Sequence, residues 1–151
     1  MSARERPQSA ALGVGDVNVP ARPLTRAIVV WAAILVFAIC NGAVRDAILT
    51  GVLGSSVARF VSGIILCVAI VAAAALAAPW LGTVSNRHRW YLGGIWLALT
   101  LAFEFAVGYA QHQSWERLLD AYTFQGGNLW PLVLLTTFVA PWAGARLRGI
   151  D

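Results

Sequence analysis

The sequence contains no lysine and has little charge of either sign. Charged residues make up 12% of its 151 positions, against roughly a quarter in a typical soluble domain. Hydrophobic residues reach 59%. A water-soluble chain this short has too little interior to hide so much apolar surface, because small domains bury the smaller fraction of it. The surrounding medium is therefore expected to be partly hydrocarbon.

Cysteine is scarce as well. Cys40 and Cys67 both fall inside apolar runs, at different expected depths, so a disulfide framework is not expected. The signatures of several chemistries are missing. There is no nucleophile elbow, no phosphate loop and no Cys–Cys pair. The glycines of "TGVLGSS" (50–56) are followed by no lysine and preceded by no strand, so phosphate binding is not expected there. The net charge of +4 is carried by arginines scattered singly between long apolar stretches. That pattern fits membrane flanks better than a nucleic-acid face, and nucleic acid is not an expected partner. Arginine without lysine, with abundant alanine, fits a GC-rich bacterial genome.

What is present is a series of uncharged runs: Ala27–Val44, Phe60–Asn86, Trp90–Gln111 interrupted only by Glu104, and Ala121–Ala145. A hydrocarbon core about 30 Å thick takes about 20 helical residues to cross. In lipid the backbone must satisfy its own hydrogen bonds, so each run is expected to be a helix. The expected fold is all-α, a four-helix transmembrane bundle over 24–149 with spans near 26–45, 59–79, 89–111 and 129–146. Residues 1–23, with three arginines, two acids and three prolines, are expected to form a disordered cytoplasmic tail.

Boundary residues support these limits. Pro79 is expected to help end the second span. Asn128 is a fair N-cap for the fourth, with Pro131 in its first turn. Trp31, Trp80, Trp90, Trp115, Trp130 and Trp142 fall near expected ends, as an interfacial aromatic belt would, while Trp96 is deeper and expected to pack. "RDAILTGVLGSSVAR" (45–59) fits either a short helix on the outer surface or a shallow re-entrant piece. "SWERLLDAY" (114–122) reads as a second outer-surface helix, N-capped by Ser114. Gly94, Ala98 and Ala102, and Ala69, Ala73 and Ala77, form small-residue stripes suited to close helix contact. Eight arginines lie on the side of the termini and of the second connection, against three on the other. Both termini are thus expected in the cytoplasm of a bacterial inner membrane.

Glu104 needs an explanation. Fourteen residues beyond Trp90, it is expected about 21 Å into the membrane, in the outer third of the hydrocarbon. A charge near the middle of a span costs roughly 2.5–3.5 kcal/mol on insertion scales. It can pair with arginine, remain protonated, or face a wet pocket. Arg45 and Arg59 flank the first connection at a similar depth. Asn41 and Arg45 are four apart and share a helix face, and Gln111 lies seven residues after Glu104 on one face, with Gly108 between. A polar cluster of Asn41, Arg45, Arg59, Glu104 and Gln111 is therefore expected in the outer half, as a structural pair fixing register or as a site for a solute, a headgroup or a proton. His112, Glu104 and Asp120 can be drawn as a metal or acid–base set, but their spacing matches no ligand motif, so no metal and no cofactor is expected.

"CNGAVRDAIL" (40–49) and "FEFAVGYAQHQSWERLLDAYTFQGGNLWPLVLLTTFVAPWAGARLR" (103–148) resemble a group of small bacterial four-span inner-membrane proteins without an assigned activity. The resemblance covers about residues 24–149. It implies topology only, and singles out Asn41, Gly42, Arg45, Glu104, Gly108, Trp115, Asp120 and Tyr122. Three functions remain open, in this order of preference. The first is a structural or accessory subunit with a membrane-protein partner or a second copy of itself. The second is a small oligomeric transporter or channel component using Glu104. The third is a membrane enzyme with both Glu104 and His112 in an outer-leaflet pocket. An enzyme is not the leading expectation.

Overall fold

A computed structural model describes residues 21–82, 85–120 and 122–150. Of the tail expected over residues 1–23, residues 1–20 lie outside the described residues, as does the side chain of Asp120, while 21–23 belong instead to the first helix. The described residues are helical with no strand, in the order α1 (Ala21–Val44), a π-helical turn (Arg45–Leu49), α2 (Thr50–Leu53), α3 (Ser55–Leu81), α4 (Asn86–Ala110), α5 (Trp115–Asp120), a 3-10 turn (Gln125–Gly127) and α6 (Trp130–Leu147). The helix begins at Ala21, so Pro23 falls in its first turn, where a missing N–H removes no helical hydrogen bond.

The segment 45–53 is neither a separate surface helix nor a re-entrant loop. It prolongs α1. Through the π turn the helix widens by one residue, and the Thr50 N–H and hydroxyl both donate to the Arg45 carbonyl, the latter at 2.9 Å. Leu24–Leu53 is thus one helical rod of 30 residues, about 45 Å long. It stops at Gly54, whose φ of 79° suits a residue without a Cβ.

Pro79 does not end α3, which runs on to Leu81 and stops at Gly82 (φ 87°). The proline deprives the Ala75 carbonyl of its helical donor. Arg148, just past α6, replaces it: its Nε donates to Ala75 O at 3.0 Å. The polar loss is repaired from a neighbouring helix, so the helix continues.

Successive long helices run antiparallel, which places the starts of α1 and α4 and the ends of α3 and α6 together at one end. Neighbours are α1 with α3, α3 with α6, α6 with α4, and, most thinly, α4 with α1. The buried face of α3 recurs every four residues as Ala58, Ser62, Leu66, Ile70, Ala74 and Ala78. Ala73 and Ala77 pack beside it, partly buried. The stripe expected on α4 is displaced by one face. Ala98 and Ala102 are exposed and a Cβ on Gly94 would meet nothing. The close approach is at Gly93, where a Cβ would run into the Phe138 carbonyl of α6. On α6, a Cβ at Gly144 would meet the Ala74 and Ala75 backbone at 2.6 Å. Glycine at these two points lets the helices touch through their backbones.

Three helices, Leu24–Leu53, Ser55–Leu81 and Asn86–Ala110, are long and apolar enough to cross a membrane, and no more than 22% of their most apolar windows is buried inside the protein. Outward-facing Val36, Phe37, Val68 and Leu76 leave most of that apolar surface uncovered. The fourth expected span is less marked. α6 has 18 residues, about 27 Å, and carries Pro131, Thr136, Thr137 and Pro141.

Candidate functional site: a polar cavity in the open half of the bundle

The end of the bundle that holds Ala27, Leu81 and Leu92 is closed. There Trp96 is fully buried, and its indole N–H donates to the Ala27 carbonyl at 2.9 Å. Trp90 packs on Phe138 and Trp142, Arg146 lies over Trp142, and Arg26 lies over Trp80 while donating to the Trp80 carbonyl at 2.7 Å. This is the tryptophan–arginine rim expected at an interface. Trp31 departs from that expectation. With α1 starting at Ala21 it sits well inside the helix, and its N–H donates to the Thr100 hydroxyl at 3.0 Å. Thr100 in turn donates to the Trp96 carbonyl at 2.8 Å.

Above this Trp31–Thr100 bridge the bundle opens. A cavity of about 260 Å³ lies among α1, α3, α4 and α6, with Thr137 and Ile70 also in its wall. It gathers Asn41, Arg45, Arg59 and Glu104 of the expected cluster. Each arrives by helical period. Asn41 and Arg45 continue the inward stripe of α1 that begins at Ala27, Val30 and Ile34. Glu104 continues the stripe Leu92, Trp96, Thr100 on α4, and the buried Gly108 follows it.

The expected Glu104–arginine pair does not form. Arg45 engages its neighbour Asp46 instead, with Nε to Oδ1 at 2.9 Å and Nη2 to Oδ2 at 3.2 Å. Proximity explains this, since Asp46 is adjacent and needs no reach across the cavity. Asn41 is committed to α3: its Nδ2 donates to Ser62 Oγ at 2.8 Å and to the Ser62 carbonyl at 3.1 Å. Arg59 leans over the 3-10 turn, its Nη2 at 2.9 Å from where a Gly126 Cβ would stand. Among the described residues neither Glu104 nor Arg59 has an ion-pair or hydrogen-bond partner.

Gln111 is not part of the cluster. α4 ends at Ala110, so the spacing of seven no longer keeps Gln111 on the Glu104 face. It is exposed and accepts a hydrogen bond from Gln113 at 2.8 Å. His112, at φ 52°, is the left-handed residue that turns the chain out of α4, and it too is exposed. Trp115 is also largely exposed at the start of the six-residue α5, beside Phe105 at 6.3 Å between ring centroids. Tyr122 stacks on the other side of Phe105, at 6.4 Å. Burial first, and the Glu104 carboxylate second, push the Tyr122 phenol above its ordinary value.

Two buried polar atoms at this end, Tyr122 Oη and Trp130 Nε1, lie near each other without closing a full hydrogen bond, and the indole N–H pulls the phenol down against the other two effects. Trp130 lines the cavity and its backbone N–H donates to Asn128 Oδ1 at 3.0 Å, although Leu129, and not the expected Asn128, stands at the N-cap position of α6. Sequence reasoning missed Ser62, Thr100 and Trp130. Ser62 and Thr100 were legible as small polar residues on inward faces only once the helix faces had been fixed. No group of three metal-ligating side chains exists among the described residues, and Cys40 and Cys67 are free thiols.

The chain matches no protein-family model, no curated protein and no solved structure.

Proposed function

We propose that this is a four-helix protein of a bacterial inner membrane, with both termini cytoplasmic and α5 on the outer surface, that holds the polar group of a ligand at Glu104. The arginine distribution supports the orientation: Arg26, Arg87, Arg89, Arg146 and Arg148 sit at the closed end, and Arg45 and Arg59 at the open one. The observation that carries the function is the unpartnered Glu104 carboxylate in a cavity whose arginines are engaged elsewhere or left free. A structural or accessory subunit would use Glu104 to lock helix register through an ion pair, and among the described residues Glu104 makes none. An enzyme working through Glu104 and His112 would need both in one pocket, and His112 is outside it. Ligand binding, as a small transporter component or a membrane-embedded receptor would use it, needs only the group that is present.

Cysteine accessibility tests this reading. In a background with Cys40→Ala and Cys67→Ala, Glu104→Cys is expected to react with a membrane-impermeant cationic thiol reagent added outside spheroplasts. Ala98→Cys, on the outward face of α4, is expected to stay unlabelled. A Glu104→Cys variant as unreactive as Ala98→Cys removes the open cavity, and labelling only from the cytoplasmic side reverses the orientation.

A further inference from the structure

The reading above leaves the ligand unnamed, and the charges around the cavity narrow it. A bare anion would face the Glu104 carboxylate. A bare cation would face Arg59, whose guanidinium has no counter-ion among the described residues. A ligand carrying both signs satisfies both groups. The single carboxylate suits an ammonium, which presents three N–H donors, better than a divalent metal, which takes several oxygen ligands.

The walls narrow it further. Leu35 and Ile39 follow Trp31 at four-residue steps on the side of α1 that meets α4, and Phe103 follows Thr100 on α4. All three line the cavity, yet Ile39 is 54% exposed. They are the lip of an opening along the α1–α4 seam, the thinnest contact between neighbouring long helices. That opening lies on the lateral face of the bundle, which in a membrane meets acyl chains. At about 260 Å³ the cavity is at the small end of ligand pockets, room for a headgroup and not for a two-chain lipid.

We propose that the cavity receives the headgroup of a zwitterionic phospholipid bearing a primary ammonium, with the ammonium at Glu104, the phosphate at Arg59, and the acyl chains leaving between α1 and α4. This rests on the open cavity of the preceding section. The same ammonium–phosphate chemistry is available from free phosphoethanolamine, so the test separates the two sources.

The experiment is native mass spectrometry of the purified full chain, released from micelles doped with equal amounts of phosphatidylethanolamine, phosphatidylcholine and phosphatidylglycerol. Phosphatidylethanolamine is expected to be retained in preference to both others. Free phosphoethanolamine at the same concentration is expected not to displace it; displacement would overturn the lipid as the source. Glu104→Gln is expected to weaken the preference over phosphatidylglycerol by at least about tenfold, the loss of one charge-assisted hydrogen bond. Arg59→Gln is expected to weaken retention of phosphatidylethanolamine while its thermal unfolding midpoint stays near the parent value, which separates binding from folding. Equal retention of the three lipids by the parent protein overturns the proposal. If Glu104→Cys is still labelled from outside in that case, the open cavity stands and only the ligand is wrong.

Discussion

The two halves of this bundle are built from the same four helices and follow opposite rules. In the closed half the inward positions are mostly apolar or small, glycines bring backbones into contact, and the buried polar groups have partners: the Trp96 indole N–H donates at 2.9 Å and the buried Arg89 guanidinium donates to Asn86 Oδ1 at 3.1 Å. In the open half the same stripes continue as Asn41, Arg45, Ser62, Thr100 and Glu104, α1 and α4 stand apart while Gly63 and Gly127 keep α3 close to the start of α6, and Glu104 and Arg59 have no partner among the described residues. The change occurs within about two helical turns and is marked by the Trp31–Thr100 bridge. Between membrane helices close packing depends on small residues and dispersion contacts, because lipid tails are as apolar as the side chains and give no hydrophobic drive to associate. One half holds the helices together. That leaves the other free to keep a cavity that its own packing would not maintain.

Perturbing the closed half should cost the most. Trp96→Ala removes its largest buried side chain and is expected to lower unfolding stability by about 3–5 kcal/mol, read by chemical denaturation in detergent. Gly93→Ala forces α4 off the Phe138 carbonyl and is expected to cost about 1–3 kcal/mol, the usual range for overpacking. At the border, Asn41→Leu removes both hydrogen bonds to Ser62 and strands a buried hydroxyl, a loss of about 1–3 kcal/mol. Arg148→Ala leaves the Ala75 carbonyl to water at an exposed site, and the expected loss is about 1 kcal/mol. A Trp96→Ala variant no less stable than Asn41→Leu would erase the proposed division of labour.

The smallest effect is a titration. Tyr122 ionises less readily in the folded protein than in the unfolded chain. Its contribution to stability is therefore fully present below the unfolded value of roughly 10 and fades as pH rises through the folded value. Difference absorbance of the parent against Tyr122→Phe should show one phenol titrating late, and Glu104→Gln should bring it part of the way back.

Much of the fold was legible because apolar runs bounded by arginines define helices with little ambiguity. What was not legible has particular causes. The first helix runs on past Arg45 because a π turn absorbs the polar residues Arg45 and Asp46, and nothing in residue type announces a π turn. Pro79 failed as a stop because its remedy, Arg148, lies 69 positions away in sequence. α6 falls short of a clear span because two prolines and two threonines dilute 18 residues. Of the candidate site, four of the five leading residues line one cavity. Gln111 was lost because a helical spacing was applied beyond the end of the helix. The Glu104–arginine pair was expected on charge alone, and the competing carboxylate of Asp46 stands next to Arg45 in the sequence.

The central claim is that Glu104 is held unpartnered, for a ligand and against stability. The most direct measurement is the unfolding free energy of Glu104→Leu beside the parent, both freed of lipid in detergent. Removing an unsatisfied carboxylate from the cavity should leave the variant as stable as the parent or more stable, by up to about 1–3 kcal/mol. A Glu104→Leu variant destabilised by a comparable amount would show that the carboxylate holds the bundle together, and would contradict the account.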